Sequence, residues 1–81
     1  MQVKVCLFAR AREAYGQAEE TVELPGDATP AECFTLLVER SPALARLRPS
    51  LLVAVNEEYA GWDGALRDGD ELAFIPPVSG G

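Results

Sequence analysis

The sequence predicts an α+β domain in which one amphipathic helix covers one face of a single β-sheet. Its 81 residues leave room for one domain only, and no internal repeat or linker divides them. Residues 2–9 show the two-residue period of a strand, whereas residues 29–41 combine a helix-start signal with apolar side chains at helical spacing. The remaining apolar segments have strand length, which gives the order strand, strand, helix, strand, short strand, strand.

The first strand has two different faces, and the second of them is unusually apolar. The alternation places Val3, Val5 and Leu7 on one side and Lys4, Cys6 and Phe8 on the other. Cys6 and Phe8 therefore extend an apolar surface toward the end of the strand. For Phe8 we keep two roles open, packing in the core and contact with a partner.

The main helix is predicted by a capping box. Thr29 is the N-cap, Pro30 occupies the first helical position and Glu32 reaches back from the third. We expect the helix to end at Ser41, because Pro42 disfavours the helical conformation in the residue before it. The apolar face of this helix comprises Phe34, Leu37 and Val38.

Shorter segments complete the chain. We expect helical turns at 10–15 and 42–48, strands at 20–24, 51–55, 59–60 and 71–75, and tight turns at 25–26, 56–58 and 68–70. The continuous apolar run at 51–55 predicts a buried strand, and the irregular loop at 61–65 holds the only tryptophan, Trp62. Pro76 and Pro77 end the last strand, since neither residue has an N–H group to donate.

Composition excludes several classes of function. The chain has no histidine, which rules out a histidine general base, a Ser-His or Cys-His nucleophile pair and a histidine metal ligand. Seven basic side chains against thirteen acidic ones argue against nucleic acid as a partner. The apolar run at 5–9 is too short for a signal peptide or a membrane span, so we expect a cytoplasmic protein without a membrane partner.

Neither the cysteines nor the acidic clusters form a predicted site. Cys6 and Cys33 lack the spacing of a metal or redox motif; a disulfide stays open, but two small buried hydrophobic residues are favoured. Asp68, Asp70 and Glu71 lack a long ligand loop, so a solvated turn is favoured over a metal site. We expect no metal.

The C-terminus is the strongest candidate for chemistry. We divide the chain into a domain at 1–75 and an extended tail at 76–81. The two prolines stiffen the base of the tail, and the glycines at its tip have no Cβ atoms, so the tail fits a narrow channel. Its reactive group is the α-carboxylate, which ATP converts to an acyl-adenylate and a sulfur nucleophile then converts to a thiocarboxylate. The tail consists of Pro76, Pro77, Val78, Ser79, Gly80 and Gly81.

The whole pattern resembles the ubiquitin-like sulfur carriers with the β-grasp fold, and most closely the family of small molybdopterin synthase subunits (the MoaD family). The likeness covers essentially the whole chain, and its most specific part is the tail. It implies a mixed sheet with the main helix across one face and with the first and last long strands adjacent. The segments that carry it are residues 3–9, 55–57, 66–71 and 74–81.

The resemblance also implies a function and partners. A ubiquitin-activating-type adenylyltransferase would adenylate Gly81 with ATP, giving a glycyl-adenylate and then a C-terminal 1-thioglycine. The tail would enter the large synthase subunit, in a heterotetramer of two small and two large subunits, and donate sulfur to cyclic pyranopterin monophosphate in molybdenum cofactor biosynthesis. The chain would bind no permanent cofactor and contribute no catalytic side chain to this sulfurtransferase complex. Positions matching the partner surface of the family are Phe8, Tyr59 and Ile75.

Three other functions stay open at this point. A thiamine-pathway sulfur carrier also ends in Gly-Gly, but such carriers tend to be shorter and usually lack the Pro-Pro step. A ubiquitin-like modifier would form isopeptide bonds with lysines of target proteins. A plain interaction domain would have an inert tail, so that removing the glycines would change nothing.

Overall fold

The computed structural model describes residues 1–77, in which five strands form one mixed sheet. The main helix, α2, and a 3₁₀ helix follow the first two strands directly in the chain, and a shorter helix, α1, links those two strands. The elements are β1 Gln2–Leu7, α1 Ala9–Tyr15, β2 Glu19–Glu23, α2 Pro30–Arg40, the 3₁₀ helix Pro42–Ser50, β3 Leu52–Val55, β4 Glu58–Ala60 and β5 Glu71–Ile75.

The strand order is β2-β1-β5-β3-β4, with β1 and β5 parallel and the other pairs antiparallel. The two terminal strands are therefore neighbours at the centre of the sheet, which confirms the predicted adjacency. Val5 lies beside Leu72 and Leu7 beside Phe74, so the inward faces of β1 and β5 form one apolar surface.

The predicted capping box of α2 is present. The Glu32 N–H donates to Thr29 Oγ1 at 3.2 Å, and the Thr29 N–H donates to Glu32 Oε1 at the same distance. This pairing satisfies two donors that the first helical turn leaves without intrahelical partners. Ser41 is the C-cap, at the position expected from Pro42.

The core lies on one side of the sheet only. It joins the inward side chains of the strands to α2, where Cys33 is fully buried beside the predicted Phe34 and Leu37. An aromatic cluster closes one part of it: the Phe34 ring meets the rings of Trp62 and Phe74 edge-on, and Trp62 stacks on Phe74 with centroids 5.6 Å apart. Trp62, predicted only as part of a loop, is thus partly buried and packs against the core.

One prediction about burial is wrong. The run at 51–55 is not buried throughout, since the strand begins at Leu52 and that side chain is 48% exposed. The reason is the single helical layer: Val53 faces the core at 2% exposure, whereas Leu52 faces the uncovered side of the sheet. A continuous apolar run predicts a strand covered on both faces, and this sheet is covered on one.

Side-chain hydrogen bonds join the turn between β3 and β4 to the turn that precedes β5. Asn56 adopts φ +51° and donates from Nδ2 to Asp70 Oδ1 at 2.9 Å, while its Oδ1 accepts the N–H of Glu71 at 2.9 Å. Asp70 Oδ2 also accepts the N–H of Arg67 at 2.8 Å. Asp70 therefore connects the turn at 68–70 to Asn56. Its carboxylate accepts hydrogen bonds from the protein and is not merely solvated.

The helices are short in the part of the chain that the structure describes. The longest, α2, has eleven residues. None of the helices within residues 1–77 combines the length and the apolar character that crossing a membrane requires.

Candidate partner-binding face

The side of the sheet turned away from α2 carries an apolar surface, which we call the open face. Strand register places its members next to one another: Ala73 of β5 lies between Cys6 of β1 and Ala54 of β3, and Ala54 pairs with Tyr59 of β4. Alternation along each strand sends all of these side chains to the same side. The open face comprises Cys6, Phe8, Leu52, Ala54, Tyr59, Ala73 and Ile75.

The open face is concave because small side chains occupy its centre and large ones its margins. Ala54 and Ala73 form the floor of a groove of about 340 Å³. The other side chains that line it are the apolar Phe8, Tyr59 and Ile75 and the acidic Glu57 and Glu71. Such a groove accepts a bulky apolar side chain of a partner, in the way that interface anchors fill pockets.

The three residues predicted to contact a partner all lie at this groove. Phe8 is 49% exposed and Tyr59 is 76% exposed, while Ile75 is half-buried. Phe8 is therefore a surface residue and not part of the core, which settles where it lies. Its role in binding, like that of Tyr59 and Ile75, stays a prediction.

Sequence reasoning missed Leu52, Ala54 and Ala73. Leu52 is one of three large apolar side chains, with Phe8 and Tyr59, that are strongly exposed within residues 1–77. The turn at 56–57 was the signal that could have identified Ala54 and Leu52. A hairpin with this turn pairs Tyr59 with Ala54, which places Tyr59 on the same face of the sheet as Ala54 and Leu52.

The titratable side chains that β1 places on this side of the sheet, Cys6 and Lys4, both have raised pKa values. Burial, and to a smaller degree the carboxylate of Glu71, raise the pKa of the Cys6 thiol. The neighbouring Lys4 forms an ion pair with Glu19 at 3.3 Å, and the hydrogen bond to Glu19 raises the Lys4 pKa. A protonated thiol and a paired ammonium group do not attack a substrate.

The second cysteine is equally inert. Both Cys6 and Cys33 are free and buried, which confirms the favoured interpretation over a disulfide. Burial raises the pKa of the Cys33 thiol to about 12, so the group is neutral at any physiological pH.

The groove leads directly to the predicted tail. β5 ends at Ile75, which pairs with Leu52, and Pro76 and Pro77 follow with the second of them exposed. A partner seated on the open face therefore lies beside the point where the tail begins. The other predicted tail residues, Val78, Ser79, Gly80 and Gly81, lie outside the described residues.

Comparisons with known proteins identify the family of the chain. Residues 5–81 match the ThiS family. The molybdopterin synthase sulfur carrier subunit of Arabidopsis thaliana is 42% identical over 81 residues, covering all of this chain and 84% of that protein. The proteins of the same name from Chlamydomonas reinhardtii and Homo sapiens are 41% and 36% identical, and the matches cover 100% and 94% of their lengths.

Solved structures share the fold. SAMP1 from Haloferax volcanii superposes with a TM-score of 0.88 at 36% identity, covering all of both chains. The putative molybdopterin converting factor subunit 1 from Pyrococcus furiosus gives a TM-score of 0.85 at 32% identity, covering 96% of this chain and 99% of that one. The sheet order, the single covering helix and these likenesses confirm the predicted ubiquitin-like β-grasp fold. The chain belongs to the ThiS family, together with the molybdopterin synthase sulfur carrier subunits that match it from end to end.

Proposed function

We propose that the chain is the sulfur carrier subunit of a molybdopterin synthase. The observation that carries this proposal is the end-to-end similarity, at 36–42% identity, to proteins named for that role. The sequence of the chain end, Gly80-Gly81 after Pro76-Pro77, provides the group that the role requires. The open face beside Ile75 provides the surface on which a partner can hold that end.

The proposed reaction uses the terminal carboxylate of Gly81. The carboxylate oxygen attacks the α-phosphate of ATP and pyrophosphate leaves, giving the glycyl-adenylate. Hydrosulfide then attacks the carbonyl carbon of the adenylate and displaces AMP, which leaves a thiocarboxylate, the 1-thioglycine form. The thiocarboxylate sulfur then bonds to a carbon of cyclic pyranopterin monophosphate and displaces an oxygen substituent, which gives a thioester. Water hydrolyses the acyl–sulfur bond, so the sulfur stays on the pterin and the Gly81 carboxylate is regenerated.

This division of labour fits the residues of the chain. Both thiols within it are buried and protonated, and it has no histidine, so the acid–base and nucleophilic groups belong to its partners. We infer two of them: a ubiquitin-activating-type adenylyltransferase and the large synthase subunit, the latter in a heterotetramer of two small and two large subunits. A chain of the solved Amycolatopsis orientalis BexX/CysO complex is 30% identical to this one with a TM-score of 0.73, which supports a protein partner for the chain.

The mass of the intact chain tests the proposal. The full-length protein is incubated with ATP, the purified adenylyltransferase and a sulfide source, and we expect the mass increase of one oxygen replaced by sulfur, located on Gly81 by fragmentation. Omitting ATP removes the increase, and so does a variant with one residue added after Gly81, because the carboxylate is then displaced by ~3 Å. An unmodified Gly81 under complete conditions contradicts the proposal.

A ubiquitin-like modifier is the second candidate, favoured by one observation. SAMP1 from Haloferax volcanii, a small archaeal modifier protein, matches the whole fold at 36% identity. A modifier is joined to lysines of other proteins, whereas a sulfur carrier leaves the reaction as a free chain. Covalent conjugates that depend on Gly81, recovered without any thiocarboxylate, favour the modifier.

A further inference from the structure

Two helices border the place where the tail begins. β1 ends at Leu7, beside Phe74, and the chain continues through Phe8 into α1. The 3₁₀ helix leads into β3, whose first residue, Leu52, pairs with Ile75 at the end of β5. α1 contacts both β5 and the 3₁₀ helix, so these two helices form one continuous surface at the end of the sheet where β5 ends.

This surface carries a charge opposite to that of the whole chain. α1 and the 3₁₀ helix together contain four of the seven basic residues and one acidic residue, Glu13, a formal charge of +3. The chain as a whole has a formal charge of −6. The surface formed by these two helices is therefore positively charged on a chain that is negative as a whole.

Three of these cations are available to a partner. Arg10, Arg12 and Arg46 are exposed, and none of them forms a salt bridge within residues 1–77. Arg48 differs, since its guanidinium lies over the Trp62 ring with Cζ 3.6 Å from the ring centroid. Elsewhere, Lys4 and Arg40 are paired with glutamates. We call Arg10, Arg12 and Arg46 the basic collar.

We propose that the basic collar docks against an acidic rim around the opening through which a partner protein admits the tail. The inference rests on the proposed function, because it assumes that the tail is inserted. Charge complementarity carries it: on a chain of charge −6, a local positive surface orients the molecule so that the tail end meets a negative site.

The length of the tail favours a protein surface over a nucleotide as the occupant. Six residues from Pro76 to Gly81 reach ~19 Å at ~3.1 Å each. In the proposed reaction the Gly81 carboxylate meets ATP at the inner end of the channel, whereas the basic collar stays at its opening. The two places are separated by about the reach of the tail. The phosphates of the nucleotide are therefore out of range of these arginines, and the rim of the channel is not.

Association kinetics test the collar. Full-length Arg10→Glu and Arg46→Glu are compared with Arg67→Glu, which makes the same charge change on an exposed arginine in the turn before β5, at the opposite end of the sheet. Binding to the adenylyltransferase and to the large subunit is followed by stopped flow at low and high salt. We expect each collar variant to associate about tenfold more slowly at low salt, a difference that shrinks at high salt, while Arg67→Glu stays within about twofold of the parent.

The results of this experiment distinguish a failure of the collar proposal from a failure of the proposed function. Collar variants that bind like the parent, while the parent still acquires sulfur, overturn the collar and leave the function standing. Collar variants with normal association but a raised KM for ATP also overturn it, in favour of nucleotide binding. If a glutamate variant melts early, Arg10→Gln and Arg46→Gln give the same comparison, with about threefold slowing expected. A parent chain that neither binds nor acquires sulfur refutes both proposals.

Discussion

Truncating Tyr59 to alanine separates binding from folding. Tyr59 is 76% exposed, so about a quarter of its surface contributes to the fold. An aromatic side chain has roughly 200 Å² to bury, and a quarter of that at ~25 cal/mol per Å² gives a folding cost of about 1 kcal/mol. For a domain of this size that cost lowers Tm by about 4–8 °C.

The effect on binding is larger. The remaining three quarters, roughly 150 Å², sets an upper limit of about 4 kcal/mol on what Tyr59 contributes when a partner covers the open face. A well-packed aromatic anchor typically loses about 2–4 kcal/mol on truncation, which raises Kd by roughly 30-fold to 1000-fold. Calorimetric titration of Tyr59→Ala with the large subunit measures this loss, and the circular dichroism melt of the free chain measures the folding cost.

Phe74→Ala is the matched control, because Phe74 is adjacent to Ile75 but has no exposed surface. Removing its ring costs about 3–5 kcal/mol of folding free energy, a large share of the roughly 4–12 kcal/mol expected for 81 residues. The account predicts that Tyr59→Ala folds and binds poorly, and that Phe74→Ala folds poorly. An unchanged Kd for Tyr59→Ala refutes the role of Tyr59 in binding, and a Tm drop as large as that of Phe74→Ala refutes the separation of binding from folding at this residue.

Two further predictions concern stability alone. Thr29→Ala removes the capping box of α2 and should cost about 1 kcal/mol, seen as a lower midpoint in urea, with Kd for the large subunit unchanged; a shift in Kd contradicts the separation of α2 from the open face. Burial raises the pKa of the Cys33 thiol to about 12 from an ordinary value of 9.0, so its contribution to stability is complete below pH 9 and is lost as the pH rises toward 12. Urea melts between pH 8 and 11 should show this decline in the parent and a weaker one in Cys33→Ala; equal declines refute it.

The sequence predicted the elements well where a local signal exists. Three features that depend only on neighbouring residues lie where they were expected. They are the capping box at Thr29 and Glu32, the two-residue period of β1, and the tight turns at 56–58 and 68–70. The adjacency of β1 and β5 came from the family resemblance, since no local pattern specifies which distant strands pair.

The failures have a common cause in long-range packing. Leu52 lies in a continuous apolar run, and such a run does not indicate which face of the strand is covered. The position of α2 over one face of the sheet decides this. Trp62 and Arg48 lie in segments without a regular hydrophobic period. The stacking of Arg48 on Trp62, and of Trp62 on Phe74, could therefore not be predicted from residue spacing. The candidate site shows the same division: Phe8, Tyr59 and the end of β5 were predicted, and the small residues between them were not.

The central claim is that Gly81 carries sulfur to a pterin, and one reconstitution tests it directly. Thiocarboxylated full-length chain is mixed with the large subunit and cyclic pyranopterin monophosphate, and the dithiolene product is measured against the loss of sulfur from the intact chain. The account predicts one sulfur lost per sulfur gained by the pterin, and no product from the Gly81 deletion, whose melt should match that of the parent within a few degrees because it lacks only one terminal residue. Product formed at the normal rate by the Gly81 deletion would contradict the account.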